Sequence, residues 1–192
     1  IYASLMISKS LPNNKGVVIV KHANPCGVSI IKDKLKCYKS ALSCDPVSAF
    51  GGIVSCNFKI SSKLALELNK TFLEVIIANG FESAALRILK KKKSVRLIDA
   101  SLFSLNEDLK INSINDVYLA QSEDKIKFNI KNFKVVSKIK PNMKQMKELI
   151  FAFNICRYVK SNAIVLAHNN TTVGIGSGQP SRFDSCQIAI DK

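Results

Sequence analysis

The sequence predicts an α/β fold, a sheet flanked by helices, and three observations carry that prediction. Short apolar runs rich in β-branched residues recur at 17–20, 52–56, 74–78 and 95–98. Stretches with apolar residues at helical spacing lie between them, and clusters of Gly, Pro, Asn and Ser punctuate the two kinds of segment. Strands alternating with helices at short intervals suit a largely parallel sheet with helices on both faces, in which ligands gather at the carboxyl ends of strands.

The elements follow in order. Residues 1–10 read as the tail of a helix, stopped by Leu11-Pro12-Asn13-Asn14. Gly16 opens Val17-Val18-Ile19-Val20, whose unbroken apolarity suits a buried, parallel strand. Leu35, Tyr38 and Leu42 mark a helix over 33–43, and residues 52–56 a second strand. Ser61 and Ser62 can cap a helix running to about Asn69. Residues 74–78 form a third strand, which Asn79-Gly80 turns into a helix over 82–91; residues 95–98 form a fourth. The stretch 101–134 is polar, with one strand expected near 117–120. After Lys140-Pro141 a helix is expected over 143–159, with Met146, Leu149, Ile150 and Phe153 on one face. Residues 163–167 and 172–175 read as strands joined by a turn at His168-Asn169-Asn170, and 184–190 as the start of a further helix. A subdomain boundary is placed near 137–141.

Composition narrows the function. Hydrophobic residues make up 47% and charged residues 22% of the 192, as in an ordinary globular protein. No apolar run approaches the roughly 18 residues of a membrane helix, and the N-terminal stretch lacks the pattern of a secretory signal, so a cytoplasmic location with no membrane partner is expected. The six cysteines form no C-x-x-C pair and read as free, mostly buried thiols in a reducing compartment. A net charge of +15 raises nucleic acid as a partner, but the lysines are dispersed and aromatics amount to 7% with no Trp, a poor stacking platform. A small polyanionic substrate suits the charge as well.

Four segments place polar residues beside buried strands. Lys21-His22-Ala23-Asn24-Pro25-Cys26-Gly27 offers a cation and a titratable imidazole, with Pro25 and Gly27 expected to force a loop. Asp45-Pro46-Val47-Ser48-Ala49-Phe50-Gly51-Gly52 carries paired glycines that allow backbone to approach a ligand. Lys160-Ser161-Asn162 supplies an amide with both a donor and an acceptor. Gly174-Ile175-Gly176-Ser177-Gly178-Gln179-Pro180-Ser181-Arg182 looks like a phosphate-cradling loop that opens a helix and ends in an Arg, although it is neither a Walker loop nor a full G-x-G-x-x-G.

Each segment alone is an ordinary turn or a solvated pair; in this order, with Glu74-Val75-Ile76-Ile77-Ala78 and Tyr158-Val159 before Lys160, they resemble the motifs of AICAR transformylases, from about Val17 to Ala189 and closest to bacterial members. The resemblance implies two cytidine-deaminase-like three-layer α/β/α subdomains, the first nearly complete over 1–138 and the second truncated over 139–192. It implies a homodimer with its sites at the interface, and transfer of a formyl group from the cosubstrate 10-formyltetrahydrofolate to the 5-amino group of AICAR without a transition metal. The IMP cyclohydrolase activity paired with this reaction is expected in a domain outside this chain. Lys21 and His22 fall on the family's catalytic pair, His22 moving the amine proton and Lys21 stabilising the formyl oxygen. Asn162 is expected to orient the amine or the formyl oxygen, Glu74 to bind the ribotide, Phe50 and Gly51 to line the base and folate site, and Arg182 to meet the ribotide phosphate. Pro180, Phe183 and Asn79 depart from the family pattern.

Two other classes are weighed and set aside. A zinc-dependent base deaminase needs H-x-E and P-C-x-x-C motifs, and neither His22-Ala23-Asn24 nor Pro25-Cys26 continues that way. A nucleic-acid module would use Lys90-Lys91-Lys92-Lys93, but four lysines closing a helix are the solvated end that the helix dipole favours.

Overall fold

In the computed structural model, residues 1–104, 109–122 and 130–192 are described. The elements are α1 (Tyr2–Ser10), β1 (Val17–Lys21), β2 (Asn24–Ser29), α2 (Lys34–Cys44), β3 (Gly52–Cys56), α3 (Ser62–Leu68), β4 (Leu73–Ala78), α4 (Ser83–Leu89), β5 (Arg96–Asp99), β6 (Leu109–Ile114), β7 (Val117–Ser122), α5 (Met143–Cys156), β8 (Ile164–His168), β9 (Thr171–Gly176) and α6 (Arg182–Asp191). Seven strands form one sheet in the order β5-β4-β3-β1-β2-β9-β8, and β6 and β7 form a separate hairpin.

The α/β class is as expected, but parallel pairing is confined to β3, β4 and β5. The strand at 17–20, expected to be parallel, pairs antiparallel with both β2 and β3. The reason is visible in the packing. Val17 and Ile19 point into one core, with Tyr38 and Ala41 of α2 and Leu64 of α3; Val18 and Val20 point into another, with Ile7 of α1 and Ile155 of α5. An all-apolar run reports burial on two faces, and helices on both faces supply that whatever direction the neighbours run. Each of these side chains is at most 1% exposed, and burial of each Val, Ile or Leu among them is worth about 1.5–3 kcal/mol.

Local chemistry sets the helix starts. Asp33 Oδ1 accepts from Lys36 N at 2.8 Å, Ser61 Oγ from Leu64 N at 3.4 Å, and Asn142 and Gln145 form a reciprocal capping box before α5. Two strands escaped the sequence reading, β2 and β6. β2 contains Pro25 and Gly27, which read as loop formers; the structure places both inside the strand. The register steps from Ile19↔Gly27 to Val20↔Pro25, so Cys26 is the extra residue of a bulge, a position where a strand tolerates proline. Gly27 lets α2 sit close: a Cβ there would stand 1.8 Å from the Ala41 carbonyl oxygen.

The arrangement of α1-β1-β2-α2 recurs in α5-β8-β9-α6. The pairs Lys21↔Asn24, Ile19↔Gly27 and Val17↔Ser29 have counterparts 147 positions later in His168↔Thr171, Leu166↔Gly174 and Ile164↔Gly176, with the bulge at the same step. Both hairpin turns have two residues at positive φ, and Ala189 O covers Gly174 as Ala41 O covers Gly27. The two units join through Ser29↔Thr171 and the Thr172 hydroxyl, which bonds the backbone of Val28, so the sheet runs on across the boundary placed near 137–141.

Candidate functional site

Strand directions bring the predicted residues to one edge of the sheet. The carboxyl end of β1 lies beside the amino ends of β2, β3 and, through β3, β4. The carboxyl end of β9 and the amino end of β8 reach the same edge from the second unit. Lys21, His22, Phe50, Gly51, Glu74, Asn162 and Arg182 all belong to these strand ends or to the turns attached to them. The rule of carboxyl ends holds for β1 and β9 only, because the sheet is mixed.

Lys21, Phe50 and Gly51 are in direct contact. The Lys21 ammonium donates to the carbonyls of Phe50 at 3.1 Å and Gly51 at 2.9 Å. This leaves one of its three hydrogens for another acceptor. Gly51 has φ of +65°, and a Cβ on it would meet Lys21 Nζ at 2.9 Å. The glycine expected to admit a ligand therefore admits Lys21 instead. A Cβ on Gly52 would meet Ala49 O at 2.9 Å, so that glycine serves the turn itself. Asp45 opens the turn by accepting from Ser48 N at 3.0 Å and pairing with Lys192 Nζ at 2.6 Å. Burial alone would raise the Asp45 carboxyl, but the hydrogen bonds from Lys192 and Ser48 outweigh it and hold the group below its usual range.

His22 and Ala23 form the two-residue turn between β1 and β2, with φ of +50° and +66°. Hairpin turns of this type prefer Gly, which has no Cβ to strain, or Asn, whose short polar side chain tolerates the left-handed region. His22 is exposed on this turn, and its ring has no hydrogen-bond partner among the described residues. Asn24 closes the hairpin opposite Lys21; its side chain donates to His22 O at 3.5 Å and accepts from Lys160 N at 3.4 Å. Asn24 thus links the Lys21–His22 turn to the segment carrying Asn162, a role the sequence reading did not give it. Cys26, also in this motif, is buried, and burial, with Asp45 and Cys44 nearby, pushes its thiol up to about 12, the setting of a structural cysteine.

Asn162 follows a cis peptide bond from Ser161. Its Nδ2 donates to Gln179 O at 2.9 Å and Pro180 O at 2.7 Å, and its backbone N–H donates to Gln179 O at 3.1 Å. Both amide hydrogens are committed, which leaves Oδ1 as the open group, an acceptor only.

The Gly-rich segment departs from its expected form. Gly174 and Gly176 lie in β9, where a Cβ would stand 1.8 Å from Ala189 O and from Ser185 O. They bring α6 against the sheet; Gly178, with φ of +71° and open space around it, is the glycine of the turn. Ser181 Oγ accepts from Phe183 N at 3.1 Å and Asp184 N at 3.4 Å, so the start of α6 is capped by its own serine. Arg182, the first residue of α6, is exposed with no partner among the described residues.

Glu74 is the extra residue of a bulge, since Gly52 pairs with Leu73 and Ile53 with Val75. It is exposed and has no partner among the described residues. The topology brings Glu74 and Arg182 to the shared edge, though neither touches Lys21. Phe72, just before β4, is a neighbour the sequence did not mark: its ring centroid is 5.1 Å from that of Phe50, and its carbonyl accepts from Gly51 N at 2.9 Å. An aromatic residue before a strand ordinarily signals core, and this one is 39% exposed.

An open apolar trough of about 890 Å³ lies between α5, residues 133–141 and β8, and none of the seven predicted site residues lines it. Among the described residues no three of His, Cys, Asp and Glu come together as a metal set, and no helix is long and apolar enough to cross a membrane.

The fold and the site define an α/β protein whose polar site is assembled at one sheet edge from the ends of two similar hairpin units. A family profile described as AICARFT/IMPCHase bienzyme matches residues 1–192, and the chain belongs to that family. It is 39% identical over 190 residues to the "Bifunctional purine biosynthesis protein PurH" of Aquifex aeolicus, an alignment covering 99% of this chain and 37% of that protein. Proteins of the same name from Trichodesmium erythraeum and Rhodospirillum rubrum are 40% identical over 176 residues and 43% over 175, covering 92% and 90% of this chain but 34% and 33% of theirs. The chain spans about a third of the length of these relatives.

Proposed function

We propose that the protein carrying this chain acts in purine biosynthesis by transferring a formyl group from 10-formyltetrahydrofolate to the 5-amino group of AICAR, giving FAICAR and tetrahydrofolate. The observation that carries this reading is the meeting at one edge of the Lys21–His22 turn and the Asn162 loop, linked through Asn24 and Lys160. The amine nitrogen attacks the formyl carbon; a C–N bond forms to the amine and the bond from that carbon to folate N10 breaks. The amine gives up one proton to the His22 imidazole, and N10 takes one. The remaining N–H of Lys21 stabilises charge on the formyl oxygen. Because only Oδ1 of Asn162 is open, it accepts from the amine rather than donating to the formyl oxygen. Arg182 meets the phosphate and Glu74 the ribotide.

No transition metal takes part in this scheme. The repeated hairpin register supports two deaminase-like subdomains, at 1–138 and 139–192, in a cytoplasmic homodimer. IMP cyclohydrolase activity resides outside this chain. The test is an absorbance assay of tetrahydrofolate formation by the complete protein, with and without a zinc chelator. Turnover that survives the chelator and an AICAR KM raised in Arg182→Ala with little change in kcat are expected. No formyl transfer, or activity that needs added zinc, refutes the scheme.

A further inference from the structure

The site edge carries two exposed aromatic rings side by side, and only one belongs to the family motif. Phe50 is 63% exposed and Phe72 is 39% exposed, their centroids 5.1 Å apart and their planes tilted by 43°. Exposing two adjacent rings costs burial that neither needs to give up for the fold, since the cores under β3 and β4 are filled by Val54, Ile76 and Ile77. Phe72 is also tied to the Lys21 seat. Its carbonyl takes the Gly51 N–H at 2.9 Å, and the Phe50 and Gly51 carbonyls in turn hold Lys21 Nζ. A Cβ on Gly51 would touch the Phe72 ring at 3.4 Å, so that ring borders the turn directly.

The charges around this ledge are of both signs and unmatched. Lys21 donates to carbonyls rather than to a carboxylate, and Glu74, two residues beyond Phe72, has no partner among the described residues. A flat ring that carries a hydrogen-bond acceptor on one side and donors on the other fits between such groups. The aminoimidazole carboxamide of the proposed ribotide is such a ring.

Resting on the formyl-transfer reading, we infer that Phe72 is a positioning and specificity residue of this site. It backs Phe50, so that the two rings form a ledge against which the substrate base lies, with the Lys21 ammonium and the Glu74 carboxylate at its two ends. One aromatic stacking contact corresponds to about a tenfold change in affinity.

The experiment measures AICAR binding by calorimetry, and KM and kcat for both substrates, in the complete protein and in its Phe72→Leu and Phe72→Tyr variants. Phe72→Leu should weaken AICAR binding and raise its KM by about tenfold while kcat changes by less than about threefold, with unchanged thermal melting. Phe72→Tyr, which restores a ring, should recover most of that loss. The inference is overturned if Phe72→Leu binds AICAR within twofold of the parent, if only the folate KM rises, or if Phe72→Tyr is as weak as Phe72→Leu. If the parent binds AICAR in a Phe72-dependent way yet makes no tetrahydrofolate, the formyl-transfer reading fails and the ledge stands. If the parent does not bind AICAR, both fall.

Discussion

The two hairpins β1-β2 and β8-β9 share a register, a bulge, a glycine under a helix and a two-residue turn, yet their turn residues differ in kind. The second turn is Asn169-Asn170, with φ of +48° and +61°, and Asn is the non-glycine residue that best tolerates that region. The first is His22-Ala23, with nearly the same angles; His also tolerates that region, but Ala23 fits it poorly. On the proposed reading, the copy with the more strained turn is the one that presents a functional side chain. His22 stands at the edge shared with Lys21 and Asn162, whereas the Asn169-Asn170 turn stands at the opposite edge, where Asn170 O accepts from Ile30 N at 2.9 Å. Strain held at a functional turn and absent from its structural twin is the expected sign of such a division.

The largest effect should separate the two turns by function. His22→Ala should lower turnover of the complete protein on the order of 100- to 10,000-fold with AICAR binding largely kept, the scale of general acid–base help. His168→Ala, at the Lys21-equivalent position of the second hairpin, should leave turnover within about twofold. Steady-state kinetics on both variants checks this, and comparable losses in the two would erase the functional contrast.

Next in size is a test of what the units share. Gly27→Ala and Gly174→Ala each drive a Cβ into a backbone carbonyl oxygen 1.8 Å away, which only movement of α2 or α6 can relieve. Both should destabilise, by about 3 kcal/mol each, at the upper end of overpacking costs. Denaturant midpoints measure it. A silent Gly174→Ala would mean that α6 is held less closely than α2 and that the repeat is looser than its register.

The smallest effect sharpens the contrast in the turns themselves. Ala23→Gly should stabilise the protein by about 1 kcal/mol, the penalty of a Cβ in the left-handed region. Asn170→Gly should change stability by less than half of that, because Asn already accommodates the conformation. Paired unfolding curves decide it, and equal gains would show that the first turn carries no special strain.

Much of this was legible in the sequence, for identifiable reasons. Apolar runs, helical spacing and the serine cap at Ser61 are local properties, and they marked most strands and helices. The seven candidate site residues were read from motifs that resemble those of one family in their order along the chain, which is again information carried in one dimension. β2 was missed because Pro25 and Gly27 are loop signals by local rule, and only a bulge opposite β1 and a helix pressed onto Gly27 make them strand residues. The same local rule read Gly174 and Gly176 as part of a phosphate loop, whereas the packing shows that glycine is needed there to admit the backbone of α6.

The sequence by itself determined the α/β class, the order of its main elements and the candidate side chains for the chemistry, because these depend on residue type and short-range spacing. Tertiary structure alone decided strand direction, since apolarity of β1 reports two covered faces and not which way its neighbours run. It alone decided that Asn162 keeps only an acceptor, because Gln179 and Pro180 are 17 and 18 residues away in the chain and become partners only when β8 and β9 pair. It alone brought Phe72 beside Phe50, because a contact between residues leading into different strands follows from the pairing of β3 and β4, and no local pattern encodes it.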